Sequence, residues 1–193
     1  MKLRSVPLRS AALAALALAA AGCNSDTPKS AGNRAAASEF KNSFLTFNHP
    51  AAWKPFVFPV TGTLHFKPML YLSSQPAHPP CRTQASATIC AWPVDRLRPG
   101  GTVILWENRG APGWSLSAAP GASVRVGGRA AKRVVSRPGD CGSIGADETI
   151  DVAIERPLAN NYTAFTACLK GPGLATGERR VDTLLASTRF LAP

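Results

Sequence analysis

Acidic residues are scarce in this chain. There are 11 Asp and Glu among 193 residues, against 22 Lys and Arg, for a formal net charge of +11. Histidine is scarcer still: His49, His65 and His78 stand far apart, each near a turn or a proline. Such isolated histidines are expected as surface or turn residues rather than as catalytic bases. There is no Gly-x-Ser-x-Gly elbow, because Gly139-Asp140-Cys141-Gly142-Ser143-Ile144-Gly145 places Ser143 directly after its glycine. A phosphate-binding P-loop, a dinucleotide fingerprint and a His-Glu-x-x-His motif are also missing. No Cys-x-x-Cys and no nearby His pair supports a metal site, so neither a metal nor a cofactor is expected. Apolar runs are short as well: residues 11–21 fall far below the ~20 residues a membrane-spanning helix needs.

That short run has a different use. Lys2, Arg4 and Arg9 form a basic opening, residues 10–22 carry no charge, and Ala19-Ala20-Ala21-Gly22 ends on Cys23. This is the order of a secretion signal with a small-residue cleavage site. A cysteine directly after that site resembles the lipobox of bacterial lipoproteins, although Ala20 stands where that motif has leucine and Leu18 lies two residues earlier. The resemblance implies a diacylated Cys23 as first residue of the mature chain, held at the outer face of the cell membrane by a diacylglyceryl anchor. Two acyl chains anchor firmly where one binds only marginally. Residues 1–22 are then the signal peptide and residues 23–38 a lipidated stalk, since NSDTPKSAGNRAAAS lacks the aromatic and branched apolar side chains a fold requires. A single folded domain is expected over residues 39–193.

Five cysteines in an exported chain leave one over once four pair, and acylation of Cys23 accounts for it. Cys81, Cys90, Cys141 and Cys168 allow three connectivities; the sequential one, 81–90 with 141–168, is preferred, with residues 74–88 as a proline-rich, stapled loop. Without Lys2, Arg4 and Arg9 the mature chain keeps 19 basic and 11 acidic residues, or about +8. Such a charge suits anionic lipid heads or wall polymers, but it also follows from solubility and an arginine-rich coding bias. Only Arg125, Arg129, Lys132, Arg133 and Arg137 cluster, and no sequence-specific binding of nucleic acid is expected.

Along the folded region, residues 44–53 read as strand, turn and strand, and residues 63–73 as a strand whose Pro68 implies an edge or a bulge. Residues 94–97 suit one helical turn. Thr102-Val103-Ile104-Leu105-Trp106 is apolar without alternation and should be a central strand covered on both faces. Gly127-Gly128 suits a two-residue hairpin turn, with Val126 opposite Arg129 and Val124 opposite Ala131. That register puts Val124, Val126, Arg129, Ala131 and Arg133 on one face, and Arg125 with Lys132 on the other. Residues 148–155 alternate cleanly around Ile150, Val152 and Ile154, and residues 161–170 form a further strand. Residues 176–187 make the convincing helix, with Val181, Leu184 and Leu185 on one side, and a last strand follows at residues 188–191. A second short helix is expected near residues 35–42. The class is therefore α+β, mostly antiparallel.

Pro50-Ala51-Ala52-Trp53 after an opening strand, the mid-chain Gly-Gly hairpin, and a helix running into Ser187 to Phe190 together resemble the Mog1/PsbP-like group. Small lipoproteins of the actinomycete envelope also belong to it. The resemblance covers residues 40–192 and implies an α/β/α sandwich around an antiparallel sheet. It implies binding or assembly rather than catalysis, and carries over no functional residue.

Two sets of side chains remain as candidates. Asp147, Asp151, Ala153 and Glu155 project to one strand face about 6.5–7 Å apart, beside Glu148. A small hydrolase or carbohydrate-active enzyme would use such carboxylates, but a solvated face neutralised by the neighbouring basic hairpin is the preferred reading. Trp53 and Trp106 read as core. Trp92 and Trp114, in loops, mark the candidate recognition surface near the stapled loop. The leading expectation is a non-enzymatic, membrane-tethered module that binds an envelope protein or polymer; electrostatic docking on an anionic wall polymer through the basic cluster is the third.

Overall fold

Alternation along the strands builds two unlike faces. The computed structural model describes residues 36–57, 66–84, 87–157 and 160–191. Cys23, the signal and stalk expected before residue 36, and His65 lie outside them. The described residues form twelve strands, one 3-10 turn and one α-helix. Seven strands make one antiparallel sheet, in the order β3 (Lys54–Phe56), β4 (Phe66–Ser73), β7 (Thr102–Gly110), β11 (Asn161–Leu169), β10 (Glu148–Glu155), β9 (Arg129–Ser136) and β8 (Ala122–Val126). A three-stranded sheet, β1 (Ala37–Lys41), β2 (Leu45–Pro50) and β12 (Arg189–Phe190), stands beside α1 (Leu174–Ser187). The architecture is thus α+β and mostly antiparallel, with a C-terminal helix and a last strand, as the residue pattern predicts.

Even-numbered positions of β7 and β10 and odd-numbered positions of β11 face the main core. Ile104, Trp106, Ile150, Val152, Ile154, Phe165 and Ala167 are buried there against Leu45 and Phe47 of β2 and Val181, Leu184 and Leu185 of α1. Trp106 sits at the centre, with the rings of Phe165 and Phe47 at 4.8 and 5.9 Å. Thr188 ends α1 by donating its backbone N–H to Leu185 O and its hydroxyl to Leu184 O. The β8–β9 turn has the expected register, with Val126 opposite Arg129 and Val124 opposite Ala131. Gly127 and Gly128 adopt φ 56° and 79°, and a Cβ on Gly127 would lie 2.8 Å from the Phe190 ring.

Several expectations need correction. Residues 37–41 are strand β1, not helix: alternation of half-buried Ser38 and Phe40 with exposed neighbours serves pairing with β2. That strand also begins two residues before the expected domain start at residue 39. Residues 94–97 form no helical turn; a bend buries both Val94 and Leu97. The stapled loop is in fact a hairpin, β5 (Cys81–Gln84) paired with β6 (Ala87–Cys90). Helix α1 starts at Leu174, two residues early. His49 is buried in β2, with Nδ1 2.9 Å from Pro50 O, rather than at the surface. Pro68 does mark a bulge, between Pro68 and Leu70 of β4.

Candidate functional site

The other face of the large sheet is only partly covered. At one end a second apolar cluster closes it: Val94, Leu97, Val103, Ile144 and Ala146 pack around Cys141 and Cys168. The Cys141–Cys168 disulfide ties the 3-10 turn (Gly139–Ile144) to β11, and both cysteines are fully buried. The second disulfide joins Cys81 and Cys90, directly opposed on the β5–β6 hairpin. Both bridges follow the sequential pairing.

Beyond the covered end lies an open groove of about 1070 Å³. Tyr71, Leu105, Glu107 and Tyr162 line it from β4, β7 and β11; Trp92 and the Cys81–Cys90 hairpin line it from the loops. Strand register assembles the floor: Tyr71 lies opposite Leu105, and Arg109 opposite Tyr162.

Glu107 and Arg109 stand two residues apart on β7 and so share the groove face. Glu107 is buried, with 1% of its surface exposed, while the Arg109 side chain is nearly half exposed. Arg109 Nε donates to Glu107 Oε1 at 2.6 Å, and Nη2 of the same guanidinium contacts the same oxygen. Burial pushes the Glu107 carboxyl above its ordinary range, and Arg109 offsets only part of that rise. Burial acts against the Arg109 charge, but Glu107 and a hydrogen bond with Tyr162 outweigh it and hold the guanidinium protonated. The Tyr71 phenol is pushed up to about 12 by burial and by the Glu107 charge. The floor therefore holds a phenol that is neutral at neutral pH, a buried carboxyl group and an anchored guanidinium.

Trp92 and Trp114 both lie on this side of the sheet. Trp92, half-buried, meets Tyr71 edge-on at 6.4 Å and lines the groove beside the Cys81–Cys90 hairpin. Trp114 stacks on Tyr162 at 4.4 Å and 15° and lines a neighbouring hollow with Lys132 and Glu155. The two candidate tryptophans thus join the groove through its two tyrosines. Trp53 and Trp106 are core, as expected.

Three of the carboxylates around residues 147–155 are engaged by neighbours, while Glu155 stands exposed at the end of β10. Asp147 accepts from Lys170 Nζ at 2.6 Å and from Gly171 N at 2.9 Å, and these bonds hold its carboxyl below the usual range. Glu148 is fully buried, and Arg137 donates to its Oε2 at 2.8 Å. Asp151 accepts from Thr166 Oγ1 at 2.8 Å, and burial pushes its carboxyl up. Glu107 lies two strands and two residues from Asp151, roughly 9.6 Å across the sheet and ~6.8 Å along it.

The basic cluster is divided, as the hairpin register requires. Arg129 stacks over the Phe190 ring at 4.1 Å, and Arg133 reaches Asp182 of α1 at 3.5 Å. On the opposite face Lys132 donates to Ser123, while Arg125 bonds Gly128 O. Arg137 is taken by Glu148.

The Glu107–Arg109 pair escaped sequence reasoning. Its signal is an acid and a base two residues apart at the end of an apolar strand. Among the described residues no helix is long and apolar enough to cross a membrane. No protein-family model matches the chain, and comparison with curated proteins finds no similar sequence.

Proposed function

We propose that this chain is a bacterial lipoprotein, held at the extracytoplasmic face of the cell membrane by a diacylated Cys23, and that it serves as a non-enzymatic binding module of the envelope. In this reading the folded part is a Mog1/PsbP-like domain, with α1 on one face of the antiparallel sheet and the groove on the other. The lipobox-like Ala19 to Cys23 supports the tether, and the spare fifth cysteine adds to it. One observation carries the binding role: the open sheet face ends in an aromatic-walled groove whose polar floor is already hydrogen-bonded. Such a site has apolar surface and a few fixed polar groups, the usual makeup of a ligand pocket. Engagement of Asp147 by Lys170 and of Glu148 by Arg137 weighs against a carboxylate-driven hydrolase, and division of the basic cluster weighs against polymer docking.

One experiment tests both halves. Wild type and Cys23→Ala are fractionated, then the membrane-released protein is examined by native mass spectrometry beside Trp92→Ala. Cys23→Ala should leave the membrane fraction, and wild type should carry a non-covalent ligand whose occupancy falls in Trp92→Ala. A Cys23→Ala protein that is processed normally and resists a high-salt wash would sink the tether. Equal occupancy in Trp92→Ala would sink the groove as the binding site.

A further inference from the structure

The groove's charges are unequally available. Its carboxylates are Glu107, buried beneath Arg109, and Asp95, which stands exposed in the loop with its Oδ1 3.2 Å from His78 Nε2. Its guanidinium groups are open. Arg109 is nearly half exposed although Glu107 fixes its orientation, and a guanidinium carries five N–H donors, more than Glu107 and Tyr162 occupy. Arg82 is exposed on the β5–β6 hairpin and has no carboxylate partner among the described residues. On the sheet floor a cation meets only Glu107, already bonded by Arg109, and must turn to solvated Asp95 in the loop, whereas an oxyanion finds an oriented fork with little freedom left to lose. Beside the fork lie Leu105, Trp92 and Tyr162, which offer no charge and large flat surfaces.

We propose that the groove binds a small anionic amphiphile, with a carboxylate or phosphate head on the exposed edge of Arg109, Arg82 reinforcing it from the hairpin, and an apolar body against Trp92 and Leu105. Glu107 acts as a positioning residue: it holds the guanidinium still and touches no ligand. The inference rests on the groove being the binding surface and adds the class of ligand that it takes.

A matched pair of fluorescent probes tests it, using the full chain carrying Cys23→Ser so that no lipid anchor competes. 1-Anilinonaphthalene-8-sulfonate and N-phenyl-1-naphthylamine share one aromatic body and differ by the sulfonate. The anionic probe should bind at least about tenfold more tightly, as a charge-assisted hydrogen bond provides, with energy transfer from tryptophan that falls in Trp92→Leu. Arg109→Ala leaves Glu107 buried without its partner and risks misfolding. The double variant Glu107→Gln with Arg109→Gln keeps a hydrogen-bonded pair without the charge, and should lose that preference while keeping its thermal transition. Dodecanoate and dodecyl phosphate, sources of the two heads, are then run as competitors beside dodecanol and inorganic phosphate. Displacement by either amphiphile, but by neither dodecanol nor inorganic phosphate, is the expected result. Equal binding of the two probes, or an unchanged preference in the double variant, would overturn the anion claim and leave the groove reading standing. Absence of tryptophan-sensitised binding by either probe would overturn both.

Discussion

The two faces of the seven-stranded sheet are built from the same strands by alternate residues, yet they have opposite chemistry. On the closed face, Ile104, Trp106, Ile150, Val152 and Phe165 meet α1 and β2 with no solvent between. On the open face, the neighbours of those residues are Leu105, Glu107, Asp151 and Thr166, and only one end is capped by a second apolar cluster. A period of two lets one strand serve stability and recognition without compromise between them, because a change on one face leaves the other face's packing in place. The open face tolerates polar groups because each buried one has a partner: Glu107 has Arg109, and Asp151 has Thr166.

The sharpest way to break this division is to exchange one large ring for alanine on each face. Trp106→Ala removes the fully buried centre of the core, where three aromatic rings lean on it, and should cost about 3–5 kcal/mol in urea unfolding. Trp92→Ala removes a half-buried ring that meets the edge of Tyr71 and packs against the side of the second apolar cluster, and should cost about 1–2 kcal/mol. Equal losses would mean that the open face is core in disguise and the groove closes in solution.

The disulfides give a second, smaller contrast. Cys141–Cys168 closes the longer loop, 27 residues against 9, and both of its sulfurs lie in the capping cluster. Replacing both cysteines by alanine should cost roughly 3–4 kcal/mol from loop closure and packing together. The same replacement at Cys81 and Cys90 should cost about 2 kcal/mol, since the hairpin stands at the groove wall outside either core cluster. Thermal unfolding of the two double variants measures the difference, and the reverse order would show that the hairpin is integral to the domain.

What was legible in the residues was local. Ile150, Val152 and Ile154 announce β10 because a half-buried strand must alternate, and Gly127-Gly128 sets a register that needs no knowledge of the rest of the fold. Cys81 and Cys90 lie close enough for their pairing to be read directly. Glu107 was illegible for the opposite reason: its significance depends on which face of β7 stays uncovered, and that is decided by α1 and β2, far away in sequence. The expected helix near residue 40 failed similarly, since Ser38 and Phe40 gain their burial only by pairing with β2. Pro79-Pro80 hid the β5–β6 hairpin, because prolines before a cysteine suggest a loop although β5 begins directly after them. Trp92 and Trp114 were found as loop aromatics, but their convergence on Tyr71 and Tyr162 is a product of the sheet.

The smallest expected effect is a pH dependence that separates the groove floor from Asp147, the exposed carboxylate just before β10. Burial raises the folded Glu107 carboxyl above its ordinary 4.5, so the folded protein holds that proton where the unfolded chain has released it. The stability this contributes is fully present below about pH 4.5 and is lost as pH rises through the folded value. Asp147 behaves in the opposite sense: Lys170 and the Gly171 N–H depress its carboxyl below 3.8, so its contribution is present above that pH and disappears as pH falls through the lower, folded value. Asp151, also raised by burial, is common to wild type and variants and cancels in their difference. Urea unfolding across pH 3 to 7 should therefore show wild type gaining on Glu107→Gln as the solution is acidified from 7 towards 4.5. Wild type should hold a constant lead over Asp147→Asn down to about pH 4, and lose that lead below it. A flat difference for Glu107→Gln would mean that Arg109 fully compensates burial, so that the floor of the groove carries no penalty for holding a charge.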